Sequence, residues 1–198
     1  MEEDQIIPEF KVLLIGGSAG SLDVLMKILP KLPRITAFAM VIVLHRKSSE
    51  DTTLEELIAM KTPTPVMEVE DKVLLQPGFI YVAPSDYHLL FEKNHLLSLD
   101  ISEKIHYSRP SIDVAFESAA EAYGSLVTAM LLSGANADGT AGLIAVKEAK
   151  GTTVIQQPDT AEIAFMPENA QKFANPDHIL NIPELLSYII AMDGNWLQ

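Results

Sequence analysis

Three residue types that together can break an ester or amide bond stand just after three apolar runs. Ser18 follows Val12 to Gly17, His45 follows Ala39 to Leu44, and Asp138 lies in Ser133-Gly134-Ala135-Asn136-Ala137-Asp138-Gly139 after Leu126 to Leu132. A serine hydroxyl is a weak nucleophile until a base removes its proton. Imidazole serves best when a carboxylate fixes its tautomer and stabilises the imidazolium. Ser18 also sits in Ile15-Gly16-Gly17-Ser18-Ala19-Gly20-Ser21, where small residues allow a sharp strand-to-helix turn. Such a turn holds a hydroxyl at a strand's carboxyl end beside the positive end of a helix, which suits a nucleophile or an anion. Taken singly, each residue has a plainer role: a serine caps helices, a histidine supports structure, and Asp before Gly turns a chain. The conjunction is what points to hydrolysis.

Two other chemistries fit less well. The glycine loop matches neither G-x-G-x-x-G nor the lysine-containing P-loop, so nucleotide binding is the runner-up for the loop itself. His45, His88, His95, His106 and His178 show no paired i, i+4 spacing, and there is no cysteine. No metal is therefore expected.

These residues can meet only if the elements before them share a sheet. Phe10 to Ile15 reads as a strand, Leu22 to Leu32 as an amphipathic helix and Ala39 to Leu44 as a second strand, a βαβ opening. A helix is predicted from about Thr53 to Lys61, led by Asp51 and Thr52 as capping candidates, and the texture changes at Pro65 to Val69. From Asp71 to Asp100 the helical period is lost. Short runs at Phe79 to Ala83, Tyr87 to Glu92 and His95 to Leu99 read there as an antiparallel excursion. Helix returns at Ser111 to Tyr123 with Gly124 as terminator, followed by a strand at Leu126 to Leu132 whose composition suits burial on both faces. After the Asp138 loop come a helix to about Ala149, a strand at Thr153 to Gln156, a helix near Pro167 to Phe173 and a last helix opening at Pro183. The expected fold is a doubly wound α/β domain, a mainly parallel sheet with helices on both faces and a short antiparallel β-hairpin excursion. It forms a single domain over residues 1–198, and its ligands should bind at the carboxyl ends of the strands.

Composition narrows the setting. The chain has 198 residues, 48% of them hydrophobic, enough for one well-buried core. Its longest apolar runs, such as Ala37 to Leu44 and Leu185 to Met192, fall far short of the roughly 20 residues of a membrane span. The acidic start Met1-Glu2-Glu3-Asp4-Gln5 leads into no small-residue cleavage site, so a cytoplasmic protein is expected. A formal charge of -13 argues against a general affinity for nucleic acid. Local basic groups remain at His45-Arg46-Lys47 and at Lys27, Lys31 and Arg34, which also suit an ordinary solvated face.

Several further motifs stand in order along the chain: Val43-Leu44-His45, Tyr81-Val82-Ala83-Pro84-Ser85-Asp86-Tyr87-His88-Leu89-Leu90, Arg109-Pro110-Ser111-Ile112-Asp113-Val114-Ala115-Phe116, and Met166-Pro167-Glu168-Asn169-Ala170. With the Ser18 and Asp138 loops, they make the chain resemble the catalytic domain of the chemotaxis protein-glutamate methylesterases, the CheB family, from about Val12 to Ala170. The resemblance implies hydrolysis of glutamyl methyl esters on the cytoplasmic helical domain of methyl-accepting chemoreceptors, with methanol released, and deamidation of particular receptor glutamines. It implies Ser18 as nucleophile, His45 as base then acid, Asp138 as orienting carboxylate, and the backbone amide of Ala19 with one in the loop around Ala135 as oxyanion donors. Association with the membrane would be peripheral, through the receptor alone.

The chain departs from the usual family pattern. Ala19-Gly20-Ser21 stands where Thr-Gly-Gly is common, Ala135-Asn136 where Met-Gly is common, and Leu44-His45-Arg46-Lys47-Ser48 where Gln-His-x-Pro-Pro is common. The nucleophile motif begins within 20 residues of Met1. The receiver domain that usually precedes it is therefore expected to be missing, and control would come from elsewhere. Arg46, Lys47 and Arg109 are the expected substrate-binding cations, the first two offsetting the chain's acidity near the site. The alternative from another class is a non-catalytic receptor- or partner-binding protein of the same fold. Hydrolysis of some other ester or amide is a third reading.

Overall fold

A continuous apolar run such as Phe38-Ala39-Met40-Val41-Ile42-Val43-Leu44 satisfies its surroundings only when both of its faces are covered. In the computed structural model, which describes residues 9–46 and 54–194, all seven of these residues are buried as strand β2 (Phe38–Leu44). It pairs in parallel with β1 (Lys11–Gly17), from Lys11 opposite Phe38 to Gly17 opposite Leu44. The helix joining them, α1 (Ser21–Ile28), is shorter than the predicted span. Leu29–Lys31 continues as a 3-10 turn containing Pro30, whose ring and missing N–H cannot extend an α-helix.

Beyond β2 the chain forms α2 (Leu54–Ala59), β3 (Val66–Glu68), β4 (Val73–Leu74), β5 (Ile80–Val82), β6 (His88–Phe91) and β7 (Leu96–Asp100). The predicted start of α2 and its caps Asp51 and Thr52 lie outside the described residues. One expectation is corrected here. Phe79 to Ala83 does not belong to the antiparallel excursion: its core, β5, is inserted in the main sheet, parallel to β2 on one side and to β3 on the other. The excursion is a separate three-stranded antiparallel sheet in the order β4-β7-β6.

The second half follows as α3 (Ile112–Tyr123), β8 (Val127–Leu131), α4 (Thr140–Glu148), β9 (Thr152–Gln156), α5 (Phe165–Ala174), β10 (His178–Leu180) and α6 (Ile182–Met192). The parallel sheet has the order β10-β9-β8-β1-β2-β5-β3. Strand period two divides its side chains between two cores. Val12, Leu14, Ala39, Val41 and Val43 face α3, α4, α5 and the small sheet through Ile112, Phe116, Leu143, Met166 and Leu89. Leu13, Ile15, Met40, Ile42 and Leu44 face α1, α2 and α6 through Leu25, Ile28, Ile58, Leu185 and Ile189. Among the described residues, no helix is long and apolar enough to cross a membrane.

Candidate active site

The chain leaves β1 toward β2 on one side and later returns to β8 on the other. The carboxyl edge between them is thus a topological switch point, where open α/β sheets bind ligands. Backbone hydrogen bonds stitch the three loops there. His45 N donates to Gly17 O at 3.0 Å, and Ser18 N donates to Ser133 O at 2.9 Å. Continuing the β1–β2 register by one residue sets Ser18 opposite His45, on neighbouring strands about 4.8 Å apart.

The turn after β1 is held from several directions. Gly20 enters α1 with φ 82°. A Cβ at this glycine would lie 2.7 Å from both Glu162 Cβ and Ser133 Oγ, so both backbone angle and space require glycine. Ser133 Oγ donates to Ala19 O at 2.7 Å and accepts from Ile163 N at 2.9 Å, while Ser21 Oγ donates to Ser18 O. Ser18 is half-buried and Ala19 and Ala135 are exposed. The amides of Ala19 and Ala135 donate to no other group among the described residues. Room for the Ser18 side chain depends on Gly134, where a Cβ would sit 3.0 Å from Ser18 Cβ and 2.5 Å from Met166 Cε.

Asp138 is fully buried, and its carboxylate is saturated. Oδ2 accepts from His45 Nε2 at 2.7 Å and Ile112 N at 2.7 Å; Oδ1 accepts from Ser111 Oγ at 3.0 Å, Asp113 N at 2.9 Å and Gly139 N at 3.1 Å. Ser111 is the N-cap of α3, so the first amides of that helix close on a carboxylate far along the chain. An anion at a helix N-terminus gains from unpaired N–H groups and from the helix dipole. Burial by itself would raise the Asp138 pKa. The bonds from His45, Asp113 and Ile112 overcome it and bring the value down to about 2. Beside it, burial pushes the Asp113 carboxyl up to about 6; the Gly142 amide opposes that rise and the neighbouring Asp138 charge adds to it.

An ionised carboxylate only accepts, so His45 Nε2 carries the proton and Nδ1 presents its lone pair. Nδ1 meets Ser108 Oγ at 3.3 Å. Among the described residues, the Ser18 hydroxyl itself makes no hydrogen bond. The structure thus gathers Ser18, His45, Asp138 and the Ala19 and Ala135 amides at one edge, and offers His45 a second hydroxyl.

The proposed cations are distributed differently. Arg46 Nη2 donates to Glu68 Oε2 at 2.8 Å, and Arg109 Nη1 donates to the carbonyls of Ile101 and Ser102 at 2.8 Å each. Both line a cavity of about 430 Å³ beside His45. Lys47 lies outside the described residues. Ser108, Ser111 and Lys104, for which sequence alone gives no role, also face the site or its cavity. Ser111 had a local signal, a serine after Pro110 at the head of an apolar-periodic run; Ser108 and Lys104 had none.

Residues 13–189 match the family model described as CheB methylesterase. A Leptospira interrogans protein, provisionally named protein-glutamate methylesterase/protein-glutamine glutaminase, is 38% identical over 189 residues, covering 96% of this chain and 98% of that protein. A Thermotoga maritima protein-glutamate methylesterase/protein-glutamine glutaminase is 32% identical over 186 residues, 91% of this chain and 54% of that relative. The crystal structure of the Thermotoga maritima CheB methylesterase catalytic domain resembles this one with a TM-score of 0.88 at 31% identity, covering 93% of this chain and all of that one. On the extent of the family match, the shared fold and a full-length relative at 38% identity, the chain belongs to the CheB methylesterase family.

Proposed function

We propose that the protein hydrolyses glutamyl methyl esters on the helical cytoplasmic region of chemoreceptors and also deamidates particular glutamines there, through Ser18, His45 and Asp138. The observation that carries this reading is the 2.7 Å bond from His45 Nε2 to a buried carboxylate that four further donors hold ionised. It leaves Nδ1 as the basic nitrogen, on the residue opposite Ser18.

Ser18 Oγ attacks the ester carbonyl carbon, its proton passes to His45 Nδ1, and the carbonyl electron pair moves onto oxygen. The Ala19 and Ala135 amides would receive that oxyanion; a lost donor of this kind typically costs about 10²- to 10³-fold. When the tetrahedral intermediate collapses, the methoxy oxygen takes the proton from His45 and leaves as methanol. Water, with His45 again as base, then splits the acyl-enzyme and restores Ser18. With an amide substrate the leaving group is ammonia. No step needs a cofactor.

Ser18→Ala in a protein that still folds should abolish methanol release from a methylated receptor fragment, and equal release by variant and parent would refute the reading. The Ser108 bond to His45 Nδ1 favours a second reading, a receptor- or partner-binding protein in which that nitrogen is occupied. Stoichiometric binding of methylated receptor without turnover would select it.

A further inference from the structure

The cavity of about 430 Å³ beside His45 is lined by Arg46, Asp86, Lys104, Tyr107, Ser108 and Arg109. Three cations thus face one carboxylate, in a chain where 27 acidic residues outnumber 14 basic ones. The cations come from separate segments. Arg46 follows β2, whereas Lys104 and Arg109 belong to the stretch between β7 and α3. Arg46 is already paired with Glu68 and Arg109 with two backbone carbonyls, whereas Lys104 is exposed and makes no ion pair among the described residues.

The wall that carries Lys104 is pinned. Arg109 holds the carbonyls of Ile101 and Ser102, and Ile105 and Ser108 exchange backbone hydrogen bonds of 3.1 and 2.8 Å. His106 and Tyr107 turn this small hairpin with φ 48° and 62°, and His106 Nε2 lies 3.6 Å from Asp113 Oδ2. Its tip, Tyr107, is 98% exposed. A large ring held out on a tethered turn beside a cationic cavity is suited to contact a partner rather than the core.

His45 belongs both to this cavity and to the Asp138 pair. A substrate side chain reacting at Ser18 and another entering the cavity must therefore leave the substrate close together on one face. On a helix that means three or four residues apart, about 5–6 Å between their Cβ atoms. We infer that the cavity is a carboxylate subsite, which takes an acidic side chain one helical turn from the glutamyl ester, with Lys104 as its specificity-determining cation. The inference rests on the methylesterase reading above and deepens it.

The test uses three synthetic helical peptides with one γ-methyl glutamyl ester each, carrying Glu, Gln or Lys four residues away. KM for methanol release by the parent protein should be about tenfold lower for the Glu peptide than for the Gln peptide, the effect of about one well-placed charge contact. The ratio should shrink as salt is raised. In Lys104→Glu the order should reverse, with the Lys peptide preferred; because the peptides are compared on one variant, a general loss of activity cancels. Equal KM values for the Glu and Gln peptides in the parent, or an unchanged order in Lys104→Glu, would overturn the subsite. If no peptide yields methanol, the hydrolase reading fails by itself. Peptide Kd values from fluorescence anisotropy then decide the subsite, the same ordering supporting it and equal values overturning it.

Discussion

Replacing Asp138 by Asn changes one oxygen to an NH2 group and nothing in volume, yet the geometry assigns it two separable losses. Oδ1 serves three donors and Oδ2 two, so the amide oxygen should take the three-donor side. The NH2 group then points at the Ile112 amide and at His45 Nε2. A buried N–H left without an acceptor costs about 1–3 kcal/mol, which in a domain of this size lowers Tm by roughly 2–12 °C. His45 can keep its bond only by accepting at Nε2, which moves the ring proton to Nδ1 and removes the base; loss of the correct tautomer costs about 10⁴-fold in serine proteases. The acid limb of stability should change as well. The folded pKa of about 2 lies below the ordinary 3.8, so this carboxylate contributes about 2 kcal/mol above pH ~4 that is lost as pH falls toward 2. Methanol release from a methylated receptor fragment and melting curves from pH 2 to 7 measure all three. An Asn variant within about tenfold of the parent's rate, with unchanged Tm and acid slope, would refute the account of Asp138.

Three other perturbations bear on the same edge. Ser108→Ala should change turnover by no more than a few-fold, since its 3.3 Å bond to His45 is long; a hundredfold fall would make Ser108 the reacting hydroxyl. Asp113→Asn should be more stable than the parent above pH 6 and equal to it below pH 4. The folded pKa of about 6 against 3.8 means that burying the ionised form costs stability as pH rises through that window, and a Tm difference independent of pH would contradict it. Gly134→Ala should keep its fold, because the flexible Met166 side chain can yield, but lose more than about tenfold in rate through displacement of Ser18; full activity would show that Ser18 has slack.

The β1–α1–β2 opening was legible because its signals are local: a seven-residue apolar strand and a helix with apolar residues on one face. The strands misread or passed over lack such signals. Ile80–Val82 is three residues long, and its parallel partners are remote in sequence, so its turn-bounded texture resembled a hairpin. His178–Leu180 is a mostly exposed edge strand with no apolar run to betray it. In the site, Ser18, His45 and Asp138 were readable as residues that follow buried strands. The grip of α3 on Asp138 was not, because it joins groups 25 to 27 residues apart, two of the three through backbone amides that every sequence possesses. Ser108 reaches His45, and Lys104 the cavity beside it, only through the tertiary course of the segment between β7 and α3.

Asp138 has two employments: it orients an imidazole, and it fastens the head of α3 to the loop after β8. A descendant of this fold that had given up hydrolysis would still need the second. Its aspartate would be expected to survive as a relic of architecture, while Ser18, whose hydroxyl bonds to nothing among the described residues, and His45, whose ring serves only the site, would be free to drift. In a related sequence, those two positions are where lapsed catalysis should first leave its mark.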